Sequence, residues 1–153
     1  MKLSTRARYG LKAMVDLAVN YGGGTTSTAA LAAMQGISDA YLEQLIAALR
    51  KAGLVTSVRG AQGGYALARP PAEINVGEVL RALEGTTAVM ECVSTERVEC
   101  DNACTCSARP LWLKLQSRID EVLYTTTLAD MAADYQQQRT HIKAVQDHTE
   151  IRG

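Results

Sequence analysis

Four cysteines, Cys92, Cys100, Cys104 and Cys106, fall within one short stretch of a 153-residue chain that has no other cysteine. Structural thiols are usually scattered along apolar stripes, whereas these lie in a polar run with Glu96, Glu99 and Asp101 and almost no hydrophobic periodicity. Such a segment has little core to order it. Thiolates converging on a soft metal ion or an iron–sulfur cluster would supply the missing free energy, so ligation is the preferred reading over reversible thiol chemistry or inert thiols. Disulfides persist mainly in secreted chains, and the basic N-terminus leads into an apolar run interrupted by Asp16, which is not a secretory leader.

The elements that must position these thiols begin with a charge asymmetry. Net charge is zero, yet residues 1–70 carry eight Lys/Arg against three Asp/Glu, a balance of +5, and residues 71–153 carry eight against thirteen, a balance of −5. A basic front half suits a polyanion. The length suits one domain with an appendage, and no run approaches the ~20 apolar residues of a membrane span, so a cytoplasmic protein with no membrane partner is expected.

Ser4 can cap a first helix over about residues 5–21, with Ala7, Leu11, Met14, Val15, Ala18 and Tyr21 at helical spacing and Lys2, Arg6, Arg8 and Lys12 near its start. Three glycines, Gly22 to Gly24, end it. Ser27 caps a short helix through Gln35, Gly36 turns the chain, and Ser38 caps a helix ending at Gly53 that turns Leu42, Leu45, Ile46 and Leu49 inward. This is helix-turn-helix spacing, and the outward set of Asp39, Ala40, Tyr41, Glu43, Gln44, Ala47, Arg50 and Lys51 is of the kind that enters a major groove. Gln44 is suited to adenine and Glu43 to cytosine.

Two short strands, residues 54–58 and 65–68, flank the glycine-rich turn Arg59-Gly60-Ala61-Gln62-Gly63-Gly64, which makes a wing with Arg59 placed for a phosphate or a narrow minor groove. Asn75 and Glu78 form a capping pair for a helix closed by Gly85. Beyond the cysteines, Leu111, Trp112, Leu115, Ile119, Val122 and Leu123 mark a helix opened near Pro110 whose stripe wants a partner, and twofold pairing would present two recognition helices to half-sites roughly 34 Å apart. Thr127 starts a short last helix to Tyr135, followed by a polar tail holding His141 and His148. No nucleophile–base pair or phosphate-binding loop is present, so no enzyme is expected.

Taken together, Ser4 to Gly10, the run Gly36 to Leu45, the run Leu54 to Tyr65, Val76 to Val79, and the cysteines followed by Arg109-Pro110-Leu111-Trp112 resemble the IscR/NsrR family of small bacterial winged-helix regulators that carry iron–sulfur clusters. The resemblance covers nearly the whole chain. It implies a homodimer, a recognition helix around Tyr41 to Arg50, a wing at Arg59, and three ligand cysteines at Cys92, Cys100 and Cys106. The family's fourth ligands are absent: Arg109 stands where some members have histidine, and Arg8 where others have an acidic residue on the partner's first helix. Arginine stays protonated and cannot ligate, so Cys104 is the preferred substitute, with a residue from the partner chain next.

The expected fold is therefore mainly α with a small β-hairpin wing, a winged helix-turn-helix followed by a long dimerisation helix. Its parts are a DNA-binding domain at 1–85, a cluster loop at 86–107, the dimer helix and a short C-terminal helix at 108–135, and a mobile tail at 136–153. Expected DNA contacts are Lys2, Arg8, Ser38, Ala40, Tyr41, Glu43, Gln44, Arg50, Arg59, Gly60 and Gln62; expected dimer contacts are Leu111, Trp112, Leu115, Ile119 and Val122. The function expected is a homodimeric regulator whose affinity for a double-stranded operator follows the state of a two-iron or four-iron cluster. Two alternatives are a thiol- or zinc-switched regulator of the same fold and a cluster-carrying redox module that binds protein only.

Overall fold

The computed structural model describes residues 3–94, 100–102 and 105–150, so Lys2 and Cys104 lie outside the described residues, as does the side chain of His148. Six helices and one hairpin follow in the order α1 Thr5–Val19, α2 Thr28–Gln35, α3 Asp39–Lys51, β1 Val55–Val58, β2 Gly64–Leu67, α4 Val76–Glu84, α5 Arg109–Thr125 and α6 Leu128–Glu150. Single 3-10 turns at Pro71–Glu73 and Glu91–Val93 precede α4 and open the cysteine segment.

Local chemistry sets the first four helices. The hydroxyl of Ser4 accepts from Ala7 N–H, that of Ser27 from Ala30 N–H and that of Ser38 from Tyr41 N–H, each satisfying a donor that the first helical turn leaves free. Asn75 and Glu78 complete a reciprocal capping box on α4, with bonds of 2.9 and 3.1 Å. Gly36 ends α2 at φ 65°, a left-handed conformation that makes the turn into α3 without a side-chain penalty.

The main core lies where α1, α2, α3 and α4 meet. Met14, Leu31, Leu42, Leu45, Ile46, Leu49, Ile74 and Val79 are all shut off from solvent there, and each such side chain contributes roughly 1.5–3 kcal/mol of burial. β1 and β2 pair antiparallel in the register Val55↔Leu67 to Val58↔Gly64, and Thr26 adds a bridge to Tyr65 on the far side of β2.

α5 stands apart from this core and buries no residue. It packs one side on α4, where the ring of Tyr124 approaches Gly77 so closely that a methyl group there would lie 2.6 Å from it. The chain then returns: Val76 N–H donates to Thr126 C=O and Leu128 N–H to Ile74 C=O, both at 2.9 Å, and Leu128 enters the main core. Thr127 and Asp130 cap α6, and the paired hydrogen bonds from Thr127 hold the Asp130 carboxyl below its ordinary range. Where a short helix to Tyr135 and a polar tail are expected, α6 instead continues to Glu150, with His141 exposed on it. Gln, Arg, Lys and Ala are good helix formers whether or not they bury a face. Among the described residues no helix is long and apolar enough to cross a membrane.

Candidate DNA-binding face and cysteine segment

α3 is amphipathic because its four apolar side chains recur at helical spacing, and their burial leaves Ala40, Glu43, Gln44 and Arg50 exposed on the opposite side. Ser38 is exposed as well, though its hydroxyl oxygen is engaged as the helix cap. Tyr41 differs from the outward position expected of it. Its ring is half-buried and meets Tyr9 of α1 edge-on, centroids 6.4 Å apart at 85°. The geometry is favourable for two aromatic quadrupoles and ties the start of α3 to α1.

Arg8 and Lys12 flank that same contact, their charged ends 5.2 and 5.6 Å from the centre of the Tyr9 ring. Both cations are exposed, so α1 adds positive charge beside the start of α3. The sequence offers Tyr9 and Tyr41 only as helical residues; nothing in their spacing pairs them.

The wing tip exposes Arg59, Gly60 and Gln62. Three ties fix its direction. Thr25 Oγ1 donates to Gln62 C=O at 2.8 Å, and Thr26 exchanges two backbone hydrogen bonds of 2.9 and 2.8 Å with Tyr65. A side chain at Gly64 would strike the Thr26 carbonyl oxygen at 2.3 Å, so only glycine permits this approach. At the return, Arg69 pairs with Glu78 at 2.8 Å and donates to Glu73 C=O at 3.1 Å, which joins the wing to the α4 cap. Thr25 and Arg69 are positioning residues that the sequence pattern does not reveal.

Cys92 lies in the 3-10 turn Glu91–Val93, Cys100 just before a turn at 101–102, and Cys106 just before α5, where its N–H donates to Asn102 C=O at 2.9 Å. All three are half-buried free thiols. Among the described residues no three His, Cys, Asp or Glu side chains are gathered closely enough to hold a metal ion. The donor chemistry nonetheless fits a soft thiolate-ligated centre. Arg109 follows within one turn, its N–H on Cys106 C=O at 3.3 Å, and its side-chain Nε is sealed from solvent with no hydrogen-bond partner among the described residues. A buried cationic donor of that kind is satisfied by an anionic neighbour such as a thiolate or a sulfide.

Gln116, in the middle of α5, fastens the approach to Cys92. Its Oε1 accepts from Val89 N–H at 2.8 Å, and its Nε2 donates to Asp120 at 2.8 Å and to Thr87 C=O at 3.4 Å. The apolar stripe expected of α5 divides into two faces. Trp112, Ile119 and Leu123 are half-buried on the side of Gln116, while Leu111, Leu115 and Val122 are 53%, 41% and 62% exposed on the other. Spacings of four and seven put these last three in one row.

Comparison with known proteins gives one family and several relatives. The family model described as "Rrf2: Iron-dependent Transcriptional regulator" matches residues 3–134. The regulator CymR of Bacillus subtilis is 42% identical over 133 residues, 87% of this chain and 91% of that one. Among solved structures, T. potens IscR aligns with a TM-score of 0.71 and 47% identity over 88% of each chain. The oxidised form of Staphylococcus aureus CymR aligns with a TM-score of 0.70 and 40% identity, covering 86% of this chain and 96% of the other.

Proposed function

This chain belongs to the Rrf2 family of transcriptional regulators, and from that premise we propose that it is a homodimeric repressor or activator whose operator affinity is set by an iron–sulfur cluster. The observation that carries the reading is the placing of three half-buried free thiols between a complete DNA-binding unit and a helix with an uncovered apolar row. The orphaned Nε of Arg109 beside Cys106 adds support.

Cys92, Cys100 and Cys106 would hold the cluster, with Cys104 or a residue of the partner as the fourth ligand. A bound cluster supplies anionic sulfur and ligand bonds that gather the segment; the protein's own residues do the rest. Gln116 holds the approach to Cys92 against α5, and Leu111, Leu115 and Val122 of α5 pair two chains. Fixing residues 86–107 between domain 1–85 and helix 108–125 would set the spacing of two recognition helices, so loss of the cluster shifts affinity through the difference in DNA binding between states. On DNA, Lys2, Arg8, Ser38, Ala40, Tyr41, Glu43, Gln44, Arg50, Arg59, Gly60 and Gln62 are the contacts proposed, with Gln44 and Glu43 reading base edges and Arg59 a phosphate or minor groove.

A second reading keeps the same DNA-binding half and switches by thiol oxidation or zinc. It is favoured by the likeness to CymR, the global cysteine regulator of B. subtilis, whose Staphylococcus aureus counterpart is known in an oxidised form. One experiment separates the two. Iron and acid-labile sulfide are counted per chain in protein purified without oxygen, and the same sample is titrated against the DNA upstream of its own gene before and after iron removal. Matching iron and sulfide with a tenfold or larger affinity change supports the cluster. Zinc or bare thiols favour the switch, and identical affinities in all states sink the coupling.

A further inference from the structure

Arg109 is the first residue of α5, and its N–H donates to Cys106 C=O at 3.3 Å, closing a tight turn that sets the two residues close together. The side chain is half-buried, and its Nε is sealed from solvent with no hydrogen-bond partner among the described residues. Two other arginines show the ordinary alternative. Arg69 meets Glu78 at 2.8 Å and Arg118 meets Glu121 at 2.7 Å. A guanidinium stays protonated, so a sealed Nε–H is a permanent donor whose lack of an acceptor costs more than that of a neutral group.

The start of α5 shows a second, independent shortage of negative charge. α1, α2, α3 and α4 each begin at a side chain that caps the first turn, whereas α5 begins at Ala108 with no side-chain cap and no acidic residue in its first turn. Arg109 instead puts a cation at the end of the helix where the dipole favours an anion. Both shortages lie within one turn of Cys106, a half-buried free thiol. A ligating sulfur there answers both, because it keeps negative charge and accepts hydrogen bonds.

The inference rests on the cluster reading above. We propose that Arg109 is a positioning residue for that cluster, its Nε–H donating to the ligating sulfur of Cys106 and holding the negative charge that the cluster gains on reduction. That step adds one electron, taken from an external reductant, and no proton leaves the guanidinium. A directed donor with a fixed positive charge stabilises the reduced form more than the oxidised form, so Arg109 raises the reduction potential. It acts through Cys106 and is not itself a ligand. A position that cannot ligate thereby sets the potential at which the cluster changes state.

Anaerobic titration of the full, cluster-loaded chain with dithionite, followed by absorption, gives the midpoint potential of the parent, Arg109→Met and Arg109→Lys. Iron and acid-labile sulfide are counted on each sample. Arg109→Met removes the charge and the donor; it should carry the parent's iron and sulfide and lower the midpoint by at least about 59 mV, a tenfold loss of preference for the reduced state. Arg109→Lys keeps the charge without the fixed Nε–H and should lose at least about threefold of the same preference. The Fe–S(Cys) stretching bands in resonance Raman spectra should differ between the parent and both variants, a signature that a role in starting the helix would leave in place. A midpoint and bands equal to the parent's in Arg109→Met overturn the inference and leave the cluster reading standing. If that variant takes up no iron, Arg109→Lys decides, and a midpoint equal to the parent's overturns the role of Nε–H. Loss of iron from both variants assigns Arg109 to cluster assembly and overturns it as well. A parent chain without iron and sulfide overturns the cluster reading and this inference together.

Discussion

α3 and α5 are both amphipathic helices of similar length, yet α3 buries Leu42, Leu45, Ile46 and Leu49 within its own chain and α5 buries nothing. The first is placed by packing that one molecule completes. The second packs one side on α4 and leaves Leu111, Leu115 and Val122 in an open row on the other. A regulator profits from that division. On the function proposed above, the part that reads DNA would be rigid enough to discriminate bases, and the part that carries the signal would have two settings close in free energy.

The division can be broken most forcefully at Leu45. Leu45→Ala should lower the unfolding free energy by about 2–5 kcal/mol, read as a fall in the urea midpoint, while Leu115→Ala in dilute solution should cost less than about 1 kcal/mol. Equal losses would mean that α5 is also set by its own chain. Next in size is Val122→Glu, which puts a charge into the exposed row and should weaken self-association by about tenfold or more in sedimentation experiments, with the monomer still folded. An unchanged association constant would assign the row to a different partner.

The smallest effect sharpens the comparison inside the rigid half. Burial, the largest influence on Asp16, holds its carboxyl above the ordinary value of 3.8, with the Gln35 bond and the charges of Lys12 and Arg139 opposing it. The folded chain therefore binds that proton more tightly than the unfolded chain. Stability from this group is full below pH 3.8 and is lost as pH rises through the raised value. The stability of Asp16→Asn relative to the parent should accordingly rise as pH climbs from about 4, measured as a difference of urea midpoints. A difference that does not vary with pH would place Asp16 in water rather than among buried side chains.

The elements legible in the sequence were those with local causes. Ser4, Ser27, Ser38 and Asn75 announce helix starts because a cap is a bond to a residue three positions on, and Gly36 announces the turn because its backbone conformation excludes most other residues. The winged helix-turn-helix and the cysteine grouping follow from such signals. Longer-range features were hidden. Trp112 and Ile119 read as part of the same stripe as Val122, and they are half-buried on the face of α5 from which Gln116 grips the stretch before Cys92. The full length of α6 was hidden because its later turns carry no apolar periodicity. Asp16 is visible as a break in an apolar run, but its partner Gln35 lies nineteen positions away on another helix, and no spacing rule connects them.

The two backbone bonds that join Val76 to Thr126 and Leu128 to Ile74 bring the chain back to the place from which it left. Everything from the end of α4 through the cysteines to the end of α5 is thus an excursion with a stitched base. Changes of length within the stretch before α5 would leave the stitch and the winged helix-turn-helix joined as they are. On the function proposed above, grafting a different segment between residues 86 and 107 is therefore the exchange this architecture invites, one detector traded for another on an unchanged chassis.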